Sequence, residues 1–240
     1  MPTAARTDDT DLAVLSAPEG LARELALLDA VVQGRVATGS LVWRCTQSLV
    51  VPRRLSHRPH FTGACEALAA QGWPVVIRDT GGDLTPQAPG LINIALAFRQ
   101  RRVAGAIRDS YLRLCQPLID CLARQGIAAY CASVEGAFCN GDYNLVVDGR
   151  KLAGTAQRWR KMATGTGAAA DEFAVLAHAV ILCDENLAAL WQAGNRFYAQ
   201  CDLAERIDPA LHVSLAELLP AGTGQLISQS LHRFSACLQA

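Results

Sequence analysis

The stretch YNLVVDGRKLAGTAQRWR, Tyr143 to Arg160, decides the fold class of this 240-residue chain. A short alternating run ends at Asp148-Gly149, the two-residue pair favoured in hairpins because both central residues must take positive φ. A second run then begins at Arg150. The segment reads as a β-hairpin in which Tyr143–Val147 returns along Leu152–Gln157.

Working outward, strands and helices are mixed rather than strictly alternating. Upstream, PEGLARELALLDAVVQGR places Leu21, Leu25, Leu28 and Val32 on one helical face, with Pro18 and Glu19 in the first turn. SLVWRC and SLVVPRR read as strands, HFTGACEALAAQG as a helix closed by Gly72, and WPVVIRD as a strand. TGGDLTPQAPG is too rich in glycine and proline for regular structure and reads as a long loop. LINIALAFR is apolar on nearly both faces, hence a buried strand. RDSYLRLCQPLIDCLARQG is a helix that Pro117 either kinks or divides. IAAYCASVEGAFCNG is strand then loop, EFAVLAHAVILC a strand, and ENLAALWQAGNRFYAQC a helix. The last 27 residues read as two helices parted between Pro220 and Gly224. This order, with a hairpin inside it, points to an α+β fold with a mixed or antiparallel central sheet flanked by helices. Residues 1–12 read as a disordered polar tail and 13–240 as a single catalytic domain.

Charge excludes little. Lysine plus arginine equals aspartate plus glutamate at 22 each, so the whole-chain balance argues against nucleic acid or an anionic membrane as partner. The first 32 residues carry acids early and no long apolar run, which reads as neither signal peptide nor membrane span. A cytoplasmic protein is expected. The nine cysteines, at 45, 65, 115, 121, 131, 139, 183, 201 and 237, contain no Cys-x-x-Cys pair and are expected to be reduced, most of them apolar filler.

Few side chains stand out from this background. His57 and His60 sit among arginines in RRLSHRPHF and read as a solvated basic loop rather than a metal site. His178 reads as a core histidine bonded to backbone; His212 and His232 offer still less. No metal is expected. Gly81 and Gly82 allow close backbone approach to a ligand, and Arg78 at a strand end can place a guanidinium there. Cys139 lies in a Gly/Asn/Asp turn 12 residues before Lys151, and a thiol nucleophile needs positive charge or oriented N–H groups nearby. The hairpin by itself would hold the two apart, so a dyad requires the Cys139 loop to fold back over the sheet, or the lysine to reach across. Gly154, Thr155 and Ala156 leave room for a slender ligand beside a strand, or mark a bulge or tight packing; Gln157 can fix a polar end.

Together these residues resemble the lipoate/octanoate branch of the biotin and lipoate protein ligase superfamily. Strand-R-x-[ST]-G-G, a long loop, LIN-A-L, and a hairpin with G-[RK]-K-x-x-G-[ST]-A-Q-R occur in the family's order across roughly Leu41 to Tyr198. The resemblance implies the catalytic fold of that superfamily, which is class II synthetase-like. The cysteine in FCNGDYNL looks most like the octanoyl/lipoyl amidotransferases, which carry the acyl group as a cysteine thioester. Carried over, Cys139 is the acyl-accepting nucleophile and Lys151 bonds the acyl carbonyl. Arg78, Gly81 and Gly82 line the tunnel entrance with Asn93 behind them, Tyr143 and Asn144 belong to the substrate site, and Gly154, Thr155, Ala156 and Gln157 form the wall. The glycine loop departs from ATP-using ligases: a lone Arg78 precedes the pair, and Asp83 stands where a basic or neutral residue would suit a phosphate.

The resemblance therefore implies transfer of an octanoyl or lipoyl group to a lysine of a lipoyl-carrier domain, of the glycine-cleavage H-protein or dehydrogenase E2 type, with acyl carrier protein as a possible donor. No cofactor is expected. The alternatives are an ATP- and Mg-dependent lipoate/octanoate ligase and a noncatalytic acyl-binding homologue.

Overall fold

The computed structural model describes residues 14–79, 81–219 and 226–239, so the predicted tail at 1–12 and the break at Pro220–Gly224 lie outside the described residues. Two sheets share the core. The larger holds β1 (Val14–Leu15), β2 (Thr38–Cys45), β6 (Leu91–Arg101), β7 (Tyr130–Ala132), β8 (Asn144–Val147), β9 (Arg150–Lys161) and β10 (Glu172–Leu182) in the order β1-β2-β6-β10-β9-β8-β7. The pair β1–β2 is parallel and the remaining pairs antiparallel, which gives the mixed sheet expected. The smaller sheet holds β3 (Ser48–Pro52), β4 (Val75–Arg78) and β5 (Thr85–Gln87), with β3 central.

Period-two alternation along β10 divides the larger sheet's faces. Val175, Ala177, Ala179 and Ile181 pack with Leu114, Leu118 and Leu122 of α3 (Ala106–Ala123) and Leu231 and Phe234 of α6 (Leu226–Gln239). The opposite face is covered in two parts. Small Ala95, Ala97 and Ala174 let Leu28 and Val31 of α1 (Ala17–Val32) close on one end. The smaller sheet and α4 (Leu187–Gln200) cover the other, where Val180 and Leu182 meet Leu49, Val51 and Trp191.

Local chemistry accounts for several boundaries. Ser16 and Glu19 form a capping box at the start of α1, as Ser214 and Glu217 do for the short α5 (Leu215–Leu218), satisfying backbone donors that the first turn leaves free. Asp148 and Gly149 have φ of 48° and 75°, the positive pair that the predicted turn requires. Helix α2 (Phe61–Ala69) ends before Gly72, at φ 81°.

The structure corrects two expectations and decides a third point that was left open. The 80–90 segment is not wholly irregular: Thr85–Gln87 pair antiparallel with Ser48–Val50, a short edge on which Pro86 is tolerated. Pro117 does not divide its helix, since α3 runs unbroken from Ala106 to Ala123. His178 bonds a side chain instead of backbone. Its Nδ1 lies 3.1 Å from Glu24 Oε2, while Trp43 Nε1 donates to Glu24 Oε1 at 3.0 Å. A carboxylate buried under the sheet is thus satisfied by two ring N–H groups, as such burial demands.

Candidate active site

The chain between β7 and β8 turns back over the sheet and carries Cys139 to the seam between the two sheets. Several bonds fix this loop. Val134 N–H donates to Asn140 Oδ1 at 2.8 Å, and Asn144 Nδ2 donates to the Gly141 carbonyl at 2.7 Å and to Asn140 Oδ1 at 3.3 Å. Phe138 N–H donates to His212 Nε2 at 3.2 Å, and the Phe138 and His212 rings stack at 5.6 Å. Trp191 stacks on Phe138 from 5.2 Å, completing an aromatic clamp beside the cysteine. Cys139 itself has φ 43°, a left-handed backbone that only well-held surroundings maintain in a non-glycine residue.

Lys151 meets this loop from below. A one-residue β-bulge pairs Leu145 with Ala153 but Val146 with Lys151, so Leu152 is the extra residue and the lysine is re-aimed. Its side chain is fully buried, and Nζ donates to the carbonyls of Phe138 and of Cys139, the latter at 3.0 Å. Nζ also stands 4.0 Å from the centre of the Phe138 ring. Burial holds the amine down at about 8, with Cys139 opposing that shift. The separation expected from the hairpin alone is thus overcome by the loop, which folds back until the cysteine's own carbonyl rests on the lysine.

The thiol faces the glycine loop. Asp83 N–H donates to Cys139 Sγ at 3.0 Å. Gly82, at φ 95°, permits that approach: a Cβ there would stand 2.9 Å from the sulfur and 2.7 Å from Arg78 Nη2. Arg78 is buried, and Nη2 donates to the Asp83 carbonyl at 2.7 Å, so the guanidinium braces the turn that presents the amide. The Asp83 carboxylate is paired with Arg54 at 3.0 Å. Tyr198 lies on its other side, its phenol pushed up by burial and then by Asp83.

Two spaces open from Cys139. A cleft of about 430 Å³ leads outward between Arg54, Asp83, Tyr198, Glu205 and Arg206. A slot of about 10 Å³ leads inward past Arg78, Thr85, Thr155, Ala156 and His178. So small a slot has no room for an alkyl chain, and any chain entering it must displace side chains.

The remaining predicted residues divide. Gly154, Thr155 and Ala156 do line the slot, but the space above Gly154 is already filled, its Cβ position lying 3.1 Å from the Phe138 ring and 3.2 Å from Lys151 Cε. Thr155 Oγ1 donates to the Tyr143 carbonyl at 2.8 Å, and Tyr143 stacks on Tyr111 at 4.5 Å. Asn144 buttresses the cysteine loop. Asn93 exchanges two hydrogen bonds with the Gln87 amide, at 2.9 and 3.0 Å. Gln157 bonds the Ile107 carbonyl and accepts from Trp159, away from the sulfur. Gly81 is exposed, with nothing within 4 Å of its Cβ position.

Two participants had escaped the sequence reading. The Asp83 amide is a backbone group without a residue signature. His212 lies far along the chain, yet Val213 N–H bonds the Lys151 carbonyl at 3.0 Å and brings the imidazole beside Phe138. Burial, then the Lys151 charge, hold that imidazole down at about 4, so it stays neutral and accepts from Phe138.

The family described as "Lipoyl protein ligase A/B catalytic domain" matches residues 16–219. An uncharacterized protein of Cupriavidus necator is 39% identical over 207 residues, covering 82% of this chain and 80% of its own. An octanoyl-[GcvH]:protein N-octanoyltransferase of Kyrpidia tusciae is 32% identical over 224 residues, covering 92% of this chain and 76% of its own. Among solved structures, lipoate-protein ligase A bound with ATP superposes with a TM-score of 0.65 at 15% identity, over 90% of this chain and 81% of the other. A bipartite lipoate protein ligase of Thermoplasma acidophilum does so with a TM-score of 0.63 at 16% identity, over 94% and 82%. At such identity these two likenesses establish the fold.

Proposed function

Because the chain belongs to the lipoyl protein ligase A/B catalytic domain family, we propose that residues 13–240 form one catalytic unit that transfers an octanoyl group, or its lipoyl counterpart, to a lysine of a lipoyl-carrier domain through a thioester on Cys139. The observation that carries this reading is the Asp83 N–H to Cys139 Sγ bond at 3.0 Å, with Lys151 seated against the same residue's carbonyl. The K. tusciae relative's name supplies the octanoyl group, octanoyl-[GcvH] as its donor and a protein as its acceptor, and we read GcvH as the glycine-cleavage H protein.

In the first half-reaction the Cys139 sulfur attacks the acyl carbonyl of an octanoyl-lysine amide, and the carbonyl oxygen takes up negative charge. Lys151 as an ammonium has three donors; two hold the loop and the third is free for that oxyanion. The carbon–nitrogen bond then breaks, the lysine amine leaves with the proton that the thiol gave up, and the acyl group remains on sulfur. In the second, an acceptor lysine amine attacks the thioester, the carbon–sulfur bond breaks, and the departing sulfur takes up the proton that the amine sheds. Splitting one amide exchange into two thioester steps lowers each barrier. The cleft gives the incoming lysine arm its path to Cys139. The acyl chain takes the slot by parting Arg78 and Phe138. This exchange calls for no cofactor, because one amide bond is broken for each one formed. Dehydrogenase E2 domains present the same lysine chemistry as alternative acceptors.

Among the described residues no helix is long and apolar enough to cross a membrane. Nine unbridged cysteines suit a reducing compartment, the cytoplasm.

Incubation with octanoylated H protein, without ATP, followed by intact mass should reveal one acyl adduct, lost in Cys139→Ser. No adduct on any cysteine overturns the proposal. Activity that needs ATP and Mg²⁺ and survives Cys139→Ala would mark a ligase, and saturable binding without transfer a noncatalytic homologue.

A further inference from the structure

Away from the candidate active site, α3 and α6 bring two thiols and two guanidiniums to one cavity. Cys121 on α3 and Cys237 on α6 line a pocket of about 290 Å³ with Arg124 and Arg233. Arg124 Nη2 stands 2.7 Å from Cys237 Sγ, and Gln125 Nε2 is 4.0 Å from Cys121 Sγ. Arg233 reaches across from α6 to bond Gln125, so the same small cluster already joins the two helices. The thiols also feel each other: burial pushes Cys121 up to about 12, and Cys237 is the next largest cause.

The two sulfurs differ in access. Cys121 is only 3% exposed, whereas Cys237 is half-buried and faces the cavity. A partly exposed thiol beside a guanidinium, with a protected second thiol at hand, is the setting in which peroxide-reactive cysteines occur. The helix concerned lies beyond residues 16–219, the part of the chain that the family match covers. Leu231 and Phe234 pack it into the core.

We propose that Cys121 and Cys237 form a redox-modifiable dithiol, closed by hydrogen peroxide into a disulfide that ties α6 to α3. The Cys237 sulfur attacks one peroxide oxygen, the O–O bond breaks, and a sulfenic acid forms as the thiol proton leaves with the second oxygen in water. The Cys121 sulfur then attacks the sulfenic sulfur, the S–S bond forms, the S–O bond breaks, and the hydroxide departs as water with the Cys121 proton. Two thiols are oxidised by two electrons and one peroxide is reduced to two waters.

The test treats the full chain carrying Cys139→Ser with hydrogen peroxide, so that the candidate nucleophile is silent, and maps the alkylated peptides by mass; the wild type is mapped in parallel in case that variant fails to fold. The expected result is a loss of two titratable thiols and one cross-linked pair joining Cys121 to Cys237, reversed by reductant. In Cys121→Ser, dimedone should capture a sulfenic acid at Cys237. A Cys121 left unbridged, or a bridge that leaves Cys237 out, such as Cys115 to Cys131, overturns the proposal.

Discussion

The Lys151 amine bonds the carbonyl of Cys139 at 3.0 Å, so the residue proposed to steady the reacting carbonyl also pins the loop that carries the nucleophile. One side chain therefore links the geometry of the site to its charge. Lys151→Met should leave both loop carbonyls without their donor and remove the oxyanion partner. Acyl transfer should fall by about 10²–10³-fold, the usual scale for losing one such donor. Lys151→Arg should not restore it, because the amine is fully buried and a guanidinium is larger. With the amine held at about 8 by burial, the wild-type transfer rate should decline as pH rises through that value, where the ammonium is lost. A rate–pH profile that stays flat to pH 9.5 would remove Lys151 as the charged partner.

Gly82 and Gly81 look alike in sequence and should behave differently. At Gly82→Ala the new methyl meets Cys139 Sγ at 2.9 Å and Arg78 Nη2 at 2.7 Å, on a backbone at φ 95°. The Asp83 amide should be forced off the sulfur, and iodoacetamide labelling of Cys139 and octanoyl transfer should both drop at least about tenfold, consistent with a 1–3 kcal/mol strain. Gly81→Ala has open space and should change neither by more than about twofold. Equal losses at both positions would mean that the loop as a whole, and not the approach at Gly82, sets the reactivity.

Local chemistry made much of this readable before any coordinates. Asp148-Gly149 carries its turn in its own two residues, so the hairpin and the antiparallel sheet were legible, as was α1 from the spacing of its leucines. The family resemblance marked Cys139 and Lys151 as partners although the hairpin alone would hold them apart; their meeting depends on a loop folding back and on a bulge at Leu152, which are tertiary facts. Strand β5 was hidden because three residues with a proline carry no periodicity, and only pairing with β3 makes them a strand. The resemblance placed Asn93 and Asn144 at the substrate site; in the fold their amides meet Gln87, six residues away, and the Asn140–Gly141 turn, local bonds that no motif in the sequence marks. His212 was hidden for a different reason, since Phe138, whose N–H it accepts, lies 74 residues away.

His212 should make stability acid-sensitive. Its folded value is held at about 4 while an unfolded histidine titrates near 6.5. Between those values the unfolded chain takes up a proton that the folded chain refuses, so stability falls as pH drops from 6.5 to 4 and levels below. The full loss is about 3 kcal/mol at most for one group shifted this far. His212→Gln retains an acceptor for Phe138 N–H but does not titrate. Urea denaturation at pH 7 and pH 4.5 should show a smaller decrease for the variant than for the wild type, and identical decreases would assign the acid sensitivity to the carboxylates.

At the alkaline end the buried thiols should dominate. Burial pushes Cys45 and Cys183 up to about 11 and Cys121 to about 12, against 9.0 for an ordinary thiol, and Cys115 is raised further by Cys131 and burial. A thiol that stays protonated when folded but ionises when unfolded stabilises the protein fully below pH 9, and that contribution is lost as pH rises toward 11. Each such group costs about 1.4 kcal/mol per pH unit across its window. Lys151 acts in the opposite sense: between about 8 and 10.5 the unfolded chain holds a proton that the folded amine has released, so its contribution grows with pH. One rising term set against at least three falling ones leaves a net loss on the order of 3 kcal/mol per pH unit once the unfolded thiols are ionised. Stability should therefore hold or rise slightly from pH 8 to 9 and fall steeply beyond, and replacing Cys45 and Cys183 by alanine should flatten the fall even though both substitutions lower stability at pH 8. A double variant with an unchanged slope between pH 9 and 10.5 would show that ionisation of these thiols is not what unfolds the protein in alkali.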